Sequence, residues 1–320
     1  MTWLVTGGAG YIGAHVVRTL VADGEDVVVL DDLSTGDASR VDPAAALVQS
    51  SVLDRGGVRK AMREHGVTGV VHIAAKKQVG ESMADPLLYY RENVEGLVAL
   101  LDSCRAQGVG QVVFSSSAAT YGLPDVDLVD EDTPTSPLSP YGESKLVGEW
   151  MLRAGERAYG MRAMCLRYFN VAGAVAPELG DAGVFNLIPM VFERLQSGEQ
   201  PRVFGADYAT PDGTCVRDYV HVADIADAHL LAARALAGGA PGRTYNVGRG
   251  EGASVLDVLR VVGEVTGLDT TPEVVDRRPG DPARIVASVD RVRSDLGFTA
   301  THDLQSMVDS AWAGWQLRHP

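Results

Sequence analysis

The first half of the chain alternates short runs of apolar and β-branched residues with longer stretches in which apolar residues recur at helical spacing. The runs that predict strands are residues 3–6, 27–30, 46–49, 69–73, 111–115 and 163–168. The stretches that predict helices include residues 12–23, 93–107 and 141–159. Runs that are apolar at nearly every position suit a parallel sheet that is buried on both faces. Strands alternating with helices predict right-handed crossovers, and therefore a doubly wound α/β sheet.

The pattern changes beyond residue 170, where proline and glycine become frequent and helical periodicity appears at residues 187–196, 223–236 and 255–266. We predict that residues 1–170 form the sheet domain and that residues 171–320 form a smaller C-terminal α/β lobe, some of whose segments return to the first domain. The chain has no tandem repeat and no low-complexity linker. The two parts are therefore expected to form one rigid unit around a cleft.

Composition and charge narrow the classes of partner. The net charge of −14 argues against a general nucleic-acid binder, although backbone amides and a few basic residues can hold a phosphate on an acidic protein. No apolar run approaches the roughly 20 residues of a membrane span, and no basic leader opens the chain. Cys104, Cys165 and Cys215 lie far apart and lack metal-ligand spacing. We expect a cytoplasmic protein with reduced thiols and no metal site.

A glycine-rich loop follows the first predicted strand. Gly7, Gly10 and Gly13 are spaced three residues apart, and Asp31 ends the next strand 18 residues after Gly13. Such glycines permit a tight turn, close approach of backbone amides to a pyrophosphate and close helix–strand packing. The alternative is an ordinary strand-to-helix turn. The acid at residue 31, which suits ribose hydroxyls and repels a 2′-phosphate, favours a dinucleotide site that binds NAD, since no arginine stands beside it.

Tyr141 and Lys145 form a pair on a predicted helix, four residues apart and so on one face. A tyrosine hydroxyl titrates at about pH 10, and a neighbouring ammonium or a positive nicotinamide ring favours its phenolate form. Such a phenolate takes a proton from a sugar hydroxyl as hydride leaves the same carbon. Ser117, after the fifth strand, is placed to hydrogen-bond the reacting oxygen. The alternatives are a surface tyrosine with a lysine neighbour, and a serine that merely ends a strand.

These motifs, together with several runs of sequence, resemble the extended short-chain dehydrogenase/reductase family and, within it, the UDP-glucose 4-epimerase branch. The first-half runs that carry the resemblance are residues 6–13, 72–75, 79–82, 89–90 with Asn93, 115–117 with 121–122, 139–141 and 167–170. The second-half runs, which are more specific to the branch, are residues 204–208, 212–214 and 216–221. The resemblance covers nearly the whole chain and implies a Rossmann-like sheet with a smaller substrate lobe.

The resemblance also implies roles for matching residues. Catalysis would rest on Ser117, Tyr141 and Lys145. The residues implied to contact NAD are Gly7, Gly10, Tyr11, Ile12, Gly13, Asp31, Asp32, Val52, Ile73, Ala74, Lys77, Asn93, Ser115, Tyr141, Lys145 and Tyr168. Those implied to contact a UDP-sugar are Lys77, Ser117, Asn170, Asn186, Leu187, Phe204, Arg217, Arg278, Asp281 and Ile285.

Some of these residues also have structural interpretations. Arg217 could pair with Asp218, and Asn170 and Asn186 could cap loops through their own side chains. His72 is interpreted as a packed strand-end residue.

The sequence departs from the family pattern at two informative positions. Ser51 stands where an aspartate usually contacts adenine, which weakens one expected contact. Ile285 stands where some members carry a large tyrosine that crowds the 2-position of the sugar. A smaller side chain at this place suggests that N-acetylated UDP-hexoses are additional substrates.

The implied reaction is interconversion of UDP-galactose and UDP-glucose through a 4-keto sugar, with NAD tightly bound. A 4,6-dehydratase would carry an acid pair after Ser117, where this chain has Ala118 and Ala119. An epimerase of a uronic acid or a pentose, and an NAD-binding regulator without activity, stay as alternatives. The resemblance further implies a homodimer that packs through residues 93–107 and 141–159.

Overall fold

The fold is described from a computed structural model, which covers residues 1–278 and 280–319. The strands in chain order are β1 (Thr2–Thr6), β2 (Asp26–Asp31), β3 (Ala46–Gln49), β4 (Gly69–His72), β5 (Gln111–Ser117), β6 (Arg162–Tyr168), β7 (Asn170–Ala172), β8 (Arg202–Phe204), β9 (Val216–His221), β10 (Arg243–Val247), β11 (Gly252–Ser254), β12 (Glu273–Val275) and β13 (Arg284–Ile285). The helices are α1 (Tyr11–Ala22), α2 (Arg55–Glu64), α3 (Val79–Ala84), α4 (Pro86–Tyr89), α5 (Gly96–Gln107), α6 (Pro140–Tyr159), α7 (Leu187–Gln196), α8 (Val222–Ala237), α9 (Val255–Thr266), α10 (Asp290–Leu296) and α11 (Leu304–Arg318).

Seven strands form one sheet in the order β10-β6-β5-β4-β1-β2-β3, with every neighbouring pair parallel. The chain direction across the sheet reverses between β1 and β4, so crossovers place helices on both faces. Apolar clusters fill both sides. One packs α1 and α8 against the sheet, and the other packs α2 and α5 against its opposite face. The predicted doubly wound α/β fold is confirmed.

The second lobe is built around β9, which pairs with β11, β13 and β7. Helices α7, α9 and α11 cover this small sheet, and their apolar side chains form a separate core around Phe192, Val262 and Trp315. A short parallel pair, β8 and β12, lies beside it. Two second-half elements join the first unit, since β10 pairs with β6 and α8 packs on α1.

Helix boundaries follow local chemistry. Ser139 caps α6 by accepting a hydrogen bond from the amide of Gly142 at 3.2 Å, and Pro140 occupies the first helical turn. The helix ends at Gly160, whose φ of 69° is left-handed and suits glycine. The helix predicted at residues 93–107 differs at its start, because a π-helical segment, Tyr90–Glu95, joins α4 to α5. Among the helices of residues 1–278 and 280–319, none has the length and apolarity that a membrane span requires.

Candidate active site

The main cleft lies where the chain reverses its direction across the seven-stranded sheet. Strands of a parallel sheet point their carboxyl ends to one edge, and ligands of such sheets bind in the crevice at the reversal point. With the solvent-open space at its mouth, the cleft holds about 1680 Å³. Of the predicted cofactor residues, those that line it are Gly7, Gly10, Tyr11, Ile12, Gly13, Asp31, Asp32, Val52, Ile73, Ala74, Lys77, Ser115, Tyr141, Lys145 and Tyr168.

Two glycines at the junction of β1 and α1 leave no room for a side chain. Gly7 has a φ of 73°, and a Cβ there would lie 2.7 Å from the amide nitrogen of Ala74. A Cβ on Gly13 would lie 1.9 Å from the carbonyl oxygen of Gly7. Both distances are far inside van der Waals contact, so glycine is required for the helix to approach the strand this closely.

The amino end of α1 is open to an anion. Gly10 occupies the cap position with no side-chain hydrogen bond, and the first turn contains no acidic residue. Gly10, Tyr11 and Ile12 line the cleft at this end. Uncapped amides and the positive end of the helix dipole together favour a phosphate group here. The residues present therefore fit the pyrophosphate of a dinucleotide.

Asp31 at the end of β2 is held in a fixed orientation. One carboxylate oxygen accepts from the amide of Ala9 at 3.0 Å and the other accepts from the amide of Leu33 at 2.9 Å. Each oxygen keeps lone pairs for further donors, such as the hydroxyls of a ribose. The neighbouring Asp32 is exposed and accepts from the amide of Ser34 at 2.9 Å. Two carboxyl groups at this end of the cleft match NAD and oppose a 2′-phosphate.

Lys145 is buried in the floor of the cleft. Its ammonium donates to the carbonyl oxygen of Ser115 at 2.9 Å and lies 5.2 Å from the ring centre of Phe114. Burial lowers the pKa of Lys145 to about 8, because desolvation disfavours the charged form. Only one of the three N–H donors is used by Ser115, which leaves donors for a bound cofactor.

Tyr141 lies one helical turn from Lys145 and borders the same cleft, with 6.0 Å between the lysine nitrogen and the tyrosine ring centre. The ring meets Tyr89 edge to face, with 6.5 Å between centres. Burial raises the pKa of Tyr141, and hydrogen bonding with Ser117 opposes this rise. The lowering of the Tyr141 pKa expected from the sequence is therefore not supplied by the chain alone. A positive charge brought into the cleft would lower the pKa of Tyr141.

Ser117 ends β5 and caps the short 3₁₀ turn Ala118–Thr120, where its oxygen accepts from the amide of Ala119 at 3.1 Å. Its neighbour Ser115 has its hydroxyl 3.2 Å from the ring nitrogen of His229 on α8. The three residues implied in catalysis, Ser117, Tyr141 and Lys145, thus come together at the carboxyl end of β5.

Asn93 is the one predicted cofactor residue that does not line the cleft. Its side-chain oxygen accepts from the amide of Lys76 at 2.8 Å, while its nitrogen donates to the carbonyl of Lys76 and the hydroxyl of Ser144. These bonds use both amide hydrogens, so Asn93 holds the β4 loop against α6. His72 is packed as expected, stacked on Phe114 and bonded to Thr6 at 2.7 Å.

A second pocket adjoins the cleft in the second lobe and, with the solvent-open space at its mouth, holds about 600 Å³. Three predicted substrate residues, Asn170, Asn186 and Leu187, line it, together with Tyr11 and Asp181. Because Tyr11 and Asp181 also line the main cleft, the two spaces meet there. A ligand bound in the main cleft and a ligand bound in the second pocket would therefore approach each other at this junction.

The remaining predicted substrate residues lie along β9 and its neighbours. Arg217 pairs with Asp281, so the alternative pairing with Asp218 is wrong. Asp218 instead accepts backbone amides, including that of Arg249 at 2.8 Å, and burial raises its pKa to about 6. Asn186 occupies the cap of α7 without a side-chain cap bond. The capping alternative therefore fails for this residue.

Phe204 and Arg278 form another contact in this region, with the guanidinium carbon 3.8 Å from the ring centre. Ile285 is buried in a small cluster with Ala118 and Phe169. This cluster places Ile285 next to the turn that follows Ser117.

Asp181 was missed by sequence reasoning. It accepts from the side chain of Asn186 at 3.2 Å and lies 4.0 Å from the ammonium of Lys77 across the junction. It stands in an irregular segment without a motif, and only the tertiary fold brings it to the cleft. Arg40, which lines the cleft and donates to the carbonyl of Gly180, was missed for the same reason.

Comparison with known proteins agrees with this geometry. The model of the NAD dependent epimerase/dehydratase family matches residues 3–248. A UDP-glucose 4-epimerase of Azospirillum brasilense is 46% identical over 313 residues, which are 96% of this chain and 90% of that protein.

Two solved structures are similar over almost their full length. A UDP-glucose 4-epimerase from Brucella ovis in complex with NAD has a TM-score of 0.94 at 39% identity, covering 98% of each chain. A UDP-glucose-4-epimerase from Stenotrophomonas maltophila with NAD and formylated UDP-arabinopyranose has a TM-score of 0.96 at 39% identity, covering 100% of this chain and 99% of that one. From the glycine turn, the Tyr141–Lys145 pair and these similarities we conclude that the chain belongs to the NAD dependent epimerase/dehydratase family.

Proposed function

We propose that the chain interconverts UDP-galactose and UDP-glucose by reversible oxidation at C4 of the sugar. The observation that carries this proposal is the position of Tyr141, Lys145 and Ser117 at the carboxyl end of β5, beside a dinucleotide cleft that meets a second cavity. The similar UDP-glucose 4-epimerases support the choice of substrate.

The cofactor residues have separable tasks. The uncapped amino end of α1 would hold the pyrophosphate of NAD, Asp31 would accept from ribose hydroxyls, and Lys145, with donors left beside its bond to Ser115, would donate to the ribose next to the nicotinamide. When bound, NAD would supply a reversible hydride acceptor for C4 of the sugar.

The proton is handled by the chain. Tyr141 takes the proton of the C4 hydroxyl and gives it back, while Ser117 hydrogen-bonds the same oxygen. Burial favours the neutral phenol of Tyr141 in the chain alone. The phenolate is favoured when the positive nicotinamide lies nearby, so proton transfer and cofactor binding are coupled.

UDP anchors the sugar while its ring turns over. Arginine suits diphosphate oxygens, and a carboxylate suits ribose hydroxyls, so Arg217, Arg278 and Asp281 are assigned to UDP. Arg217 and Asp281 are partly buried and already paired in the free chain. Because their side chains are already ordered, less conformational entropy is lost when UDP binds. Binding energy from this remote group holds the keto sugar in the site during reorientation.

N-acetylated UDP-hexoses are proposed as additional substrates because Ile285 is smaller than tyrosine. UDP-N-acetylgalactosamine should turn over at a rate within about tenfold of UDP-galactose, since a hydrophobic pocket discriminates small size differences only weakly. An undetectable rate beside rapid UDP-galactose turnover would remove this part of the proposal.

A homodimer is also proposed, packed through the outer faces of α5 and α6. These faces expose Val98, Trp150 and Tyr159, whose side chains would otherwise leave apolar surface in water. A concentration-independent monomer in sedimentation experiments would remove it. A cytoplasmic location is supported by the three free cysteines.

The test is product analysis after incubating the purified chain with UDP-galactose and no added NAD. The proposal expects UDP-glucose to appear up to a fixed equilibrium ratio, with NAD released on denaturation. Conversion of a uronic acid or pentose derivative alone would support a different epimerase, and bound NAD without turnover would support the regulator.

A further inference from the structure

A buried carboxylate on the catalytic helix has no role in the scheme above. Glu149 follows Lys145 by four residues and Tyr141 by eight, so all three share one face of α6. It is 0% exposed, which is rare for a glutamate unless its charge is paired. It lies outside the Tyr141–Lys145 motif.

The Glu149 carboxylate joins three elements of the site. One oxygen accepts from the hydroxyl of Ser116 on β5 at 2.6 Å and from Nε of Arg167 on β6 at 2.8 Å. The other oxygen accepts from Nη2 of Arg167 at 2.6 Å. The bidentate pair is the strongest geometry available to these groups, because both bonds are charge-assisted and fixed in direction. Helix α6 is thereby held in one register against both strands.

The residues that Glu149 holds are neighbours of the catalytic and cofactor groups. Ser116 lies between Ser115 and Ser117, and Arg167 immediately precedes Tyr168. Ser116 is paired with Arg167, and Ser117 with Tyr168, in the parallel register of β5 and β6. Because side chains alternate along a strand, Ser116 and Arg167 face α6, while their neighbours face the opposite side of the sheet.

Arg167 depends on this carboxylate. Burial alone would lower its pKa, but the hydrogen bonds and charge of Glu149 raise it above the ordinary value. The guanidinium also lies 4.8 Å from the ring centre of Tyr121, whose hydroxyl donates to Asn246 at 2.7 Å. Loss of the Glu149 charge would leave the buried Arg167 cation without its carboxylate partner, beside Ser116 and directly before Tyr168 in the chain.

We propose that Glu149 is a positioning residue that sets the distance and orientation of Tyr141 and Lys145 relative to Ser117. It acts through Ser116 and Arg167 without touching substrate or cofactor. This inference rests on the proposed function, because it concerns the geometry of that reaction.

The primary test is Glu149→Gln. Glutamine keeps the size and one acceptor oxygen, but it presents an N–H group to Nη2 of Arg167. We expect kcat to fall about 10- to 100-fold, because a misplacement of about 1 Å can cost roughly 100-fold in rate. KM for UDP-galactose should stay within about twofold, because among the described residues Glu149 contacts none of those assigned to UDP. Bound NAD per chain should stay within about twofold, because the amino end of α1 and Asp31 hold the far part of NAD away from Glu149.

The matched control is Glu156→Gln on the same helix. Within the part of the chain that the structure describes, its carboxylate accepts from the amide of Ala163 alone, at 3.0 Å, near the far end of α6. Glutamine can make that bond, so its kcat should equal that of the parent. If Glu149→Gln does not fold, Ser116→Ala decides the question, since it removes one hydrogen bond and leaves the ion pair.

A second measurement separates positioning from general destabilisation. In a Tyr141→Phe background the Glu149→Gln change should cause little further loss, because the group being positioned is already absent. Unchanged kcat in both Glu149→Gln and Ser116→Ala would overturn the inference. It would also be overturned if the kcat losses of Glu149→Gln and Tyr141→Phe multiplied in the double variant, or if the fall in kcat equalled the fall in bound NAD per chain. An inactive parent would overturn the proposed function and this inference together, whereas an active parent with an unaffected variant would overturn the inference alone.

Discussion

The ammonium of Lys145 donates a hydrogen bond to the carbonyl oxygen of Ser115 across 2.9 Å. This contact ties the catalytic helix to the carboxyl end of β5 and fixes the lysine in a buried position. This hydrogen bond uses one N–H donor of the ammonium, yet burial still lowers the pKa of Lys145 to about 8. The titration of Lys145 should therefore contribute to the pH dependence of the free energy of unfolding.

Lys145→Met should change how stability depends on pH. The pKa of Lys145 is lowered from 10.5 to about 8 on folding, so between these values the unfolded chain holds a proton that the folded chain has lost. Stability contributed by this group therefore rises with pH through that window. Between pH 7 and pH 9.5 the free energy of unfolding of the parent should rise relative to the variant by roughly 2 kcal/mol, at about 1.4 per pKa unit. Urea unfolding of both chains measures this, and a constant difference would contradict it.

Gly13→Ala should abolish cofactor retention. The added Cβ would lie 1.9 Å from the Gly7 carbonyl oxygen, so the turn and the amino end of α1 must move. We expect NAD per chain to fall at least tenfold, with a loss of about 2 kcal/mol or more in stability from overpacking. NAD released on denaturation and the unfolding midpoint provide the readouts.

The control for this substitution is Gly110→Ala. A Cβ at Gly110 meets no atom within 4 Å, and its φ is not in the left-handed region. This variant should retain NAD and stability. Equal NAD retention in both variants would show that the turn tolerates a side chain.

Arg217→Ala should weaken substrate binding with little effect on the cofactor. The arginine is partly buried and paired with Asp281, and its loss removes charge-assisted hydrogen bonds of about 1.5–3 kcal/mol. KM for UDP-galactose should rise about 10- to 100-fold while NAD per chain stays constant. Arg260→Ala, on the exposed face of α9, removes an ion pair with Glu264 and should leave KM unchanged. An unchanged KM in Arg217→Ala would remove this residue from the UDP site.

Tyr141→Phe should remove activity and leave the fold intact. The variant lacks the hydroxyl that exchanges the C4 proton, and general acid–base groups contribute about 100- to 10,000-fold. We expect kcat to fall by at least about 100-fold, with unchanged NAD content. Tyr245→Phe on β10 is the control and should keep full activity, because its hydroxyl donates a long bond of 3.4 Å to Asp295 outside the cleft. Substantial activity in Tyr141→Phe would require another proton carrier.

Periodicity and short motifs were sufficient to predict the doubly wound sheet. The strand at residues 46–49 and the helices at residues 187–196 and 255–266 have the predicted bounds. Strong alternation of buried strands with helices leaves few other topologies. The short β7 and β13 have two or three residues each, too few to show a period.

The sequence was less informative where a role depends on tertiary neighbours. Asn93 matches the family pattern, yet its amide is used by Lys76 and Ser144. The partner of Arg217 is Asp281, 64 residues away, and not the adjacent Asp218. Glu149 could have been noticed from its spacing on the helix face, but its burial and its bonds to Arg167 are properties of the fold alone.

The most direct test of the account uses UDP-galactose that carries deuterium at C4, incubated with the purified chain in ordinary water without added NAD. Reversible oxidation within a closed site predicts UDP-glucose that retains deuterium at C4, because the same hydride leaves and returns. Product in which solvent hydrogen has replaced the label would contradict oxidation at C4, and absence of product despite bound NAD would contradict the assigned substrate.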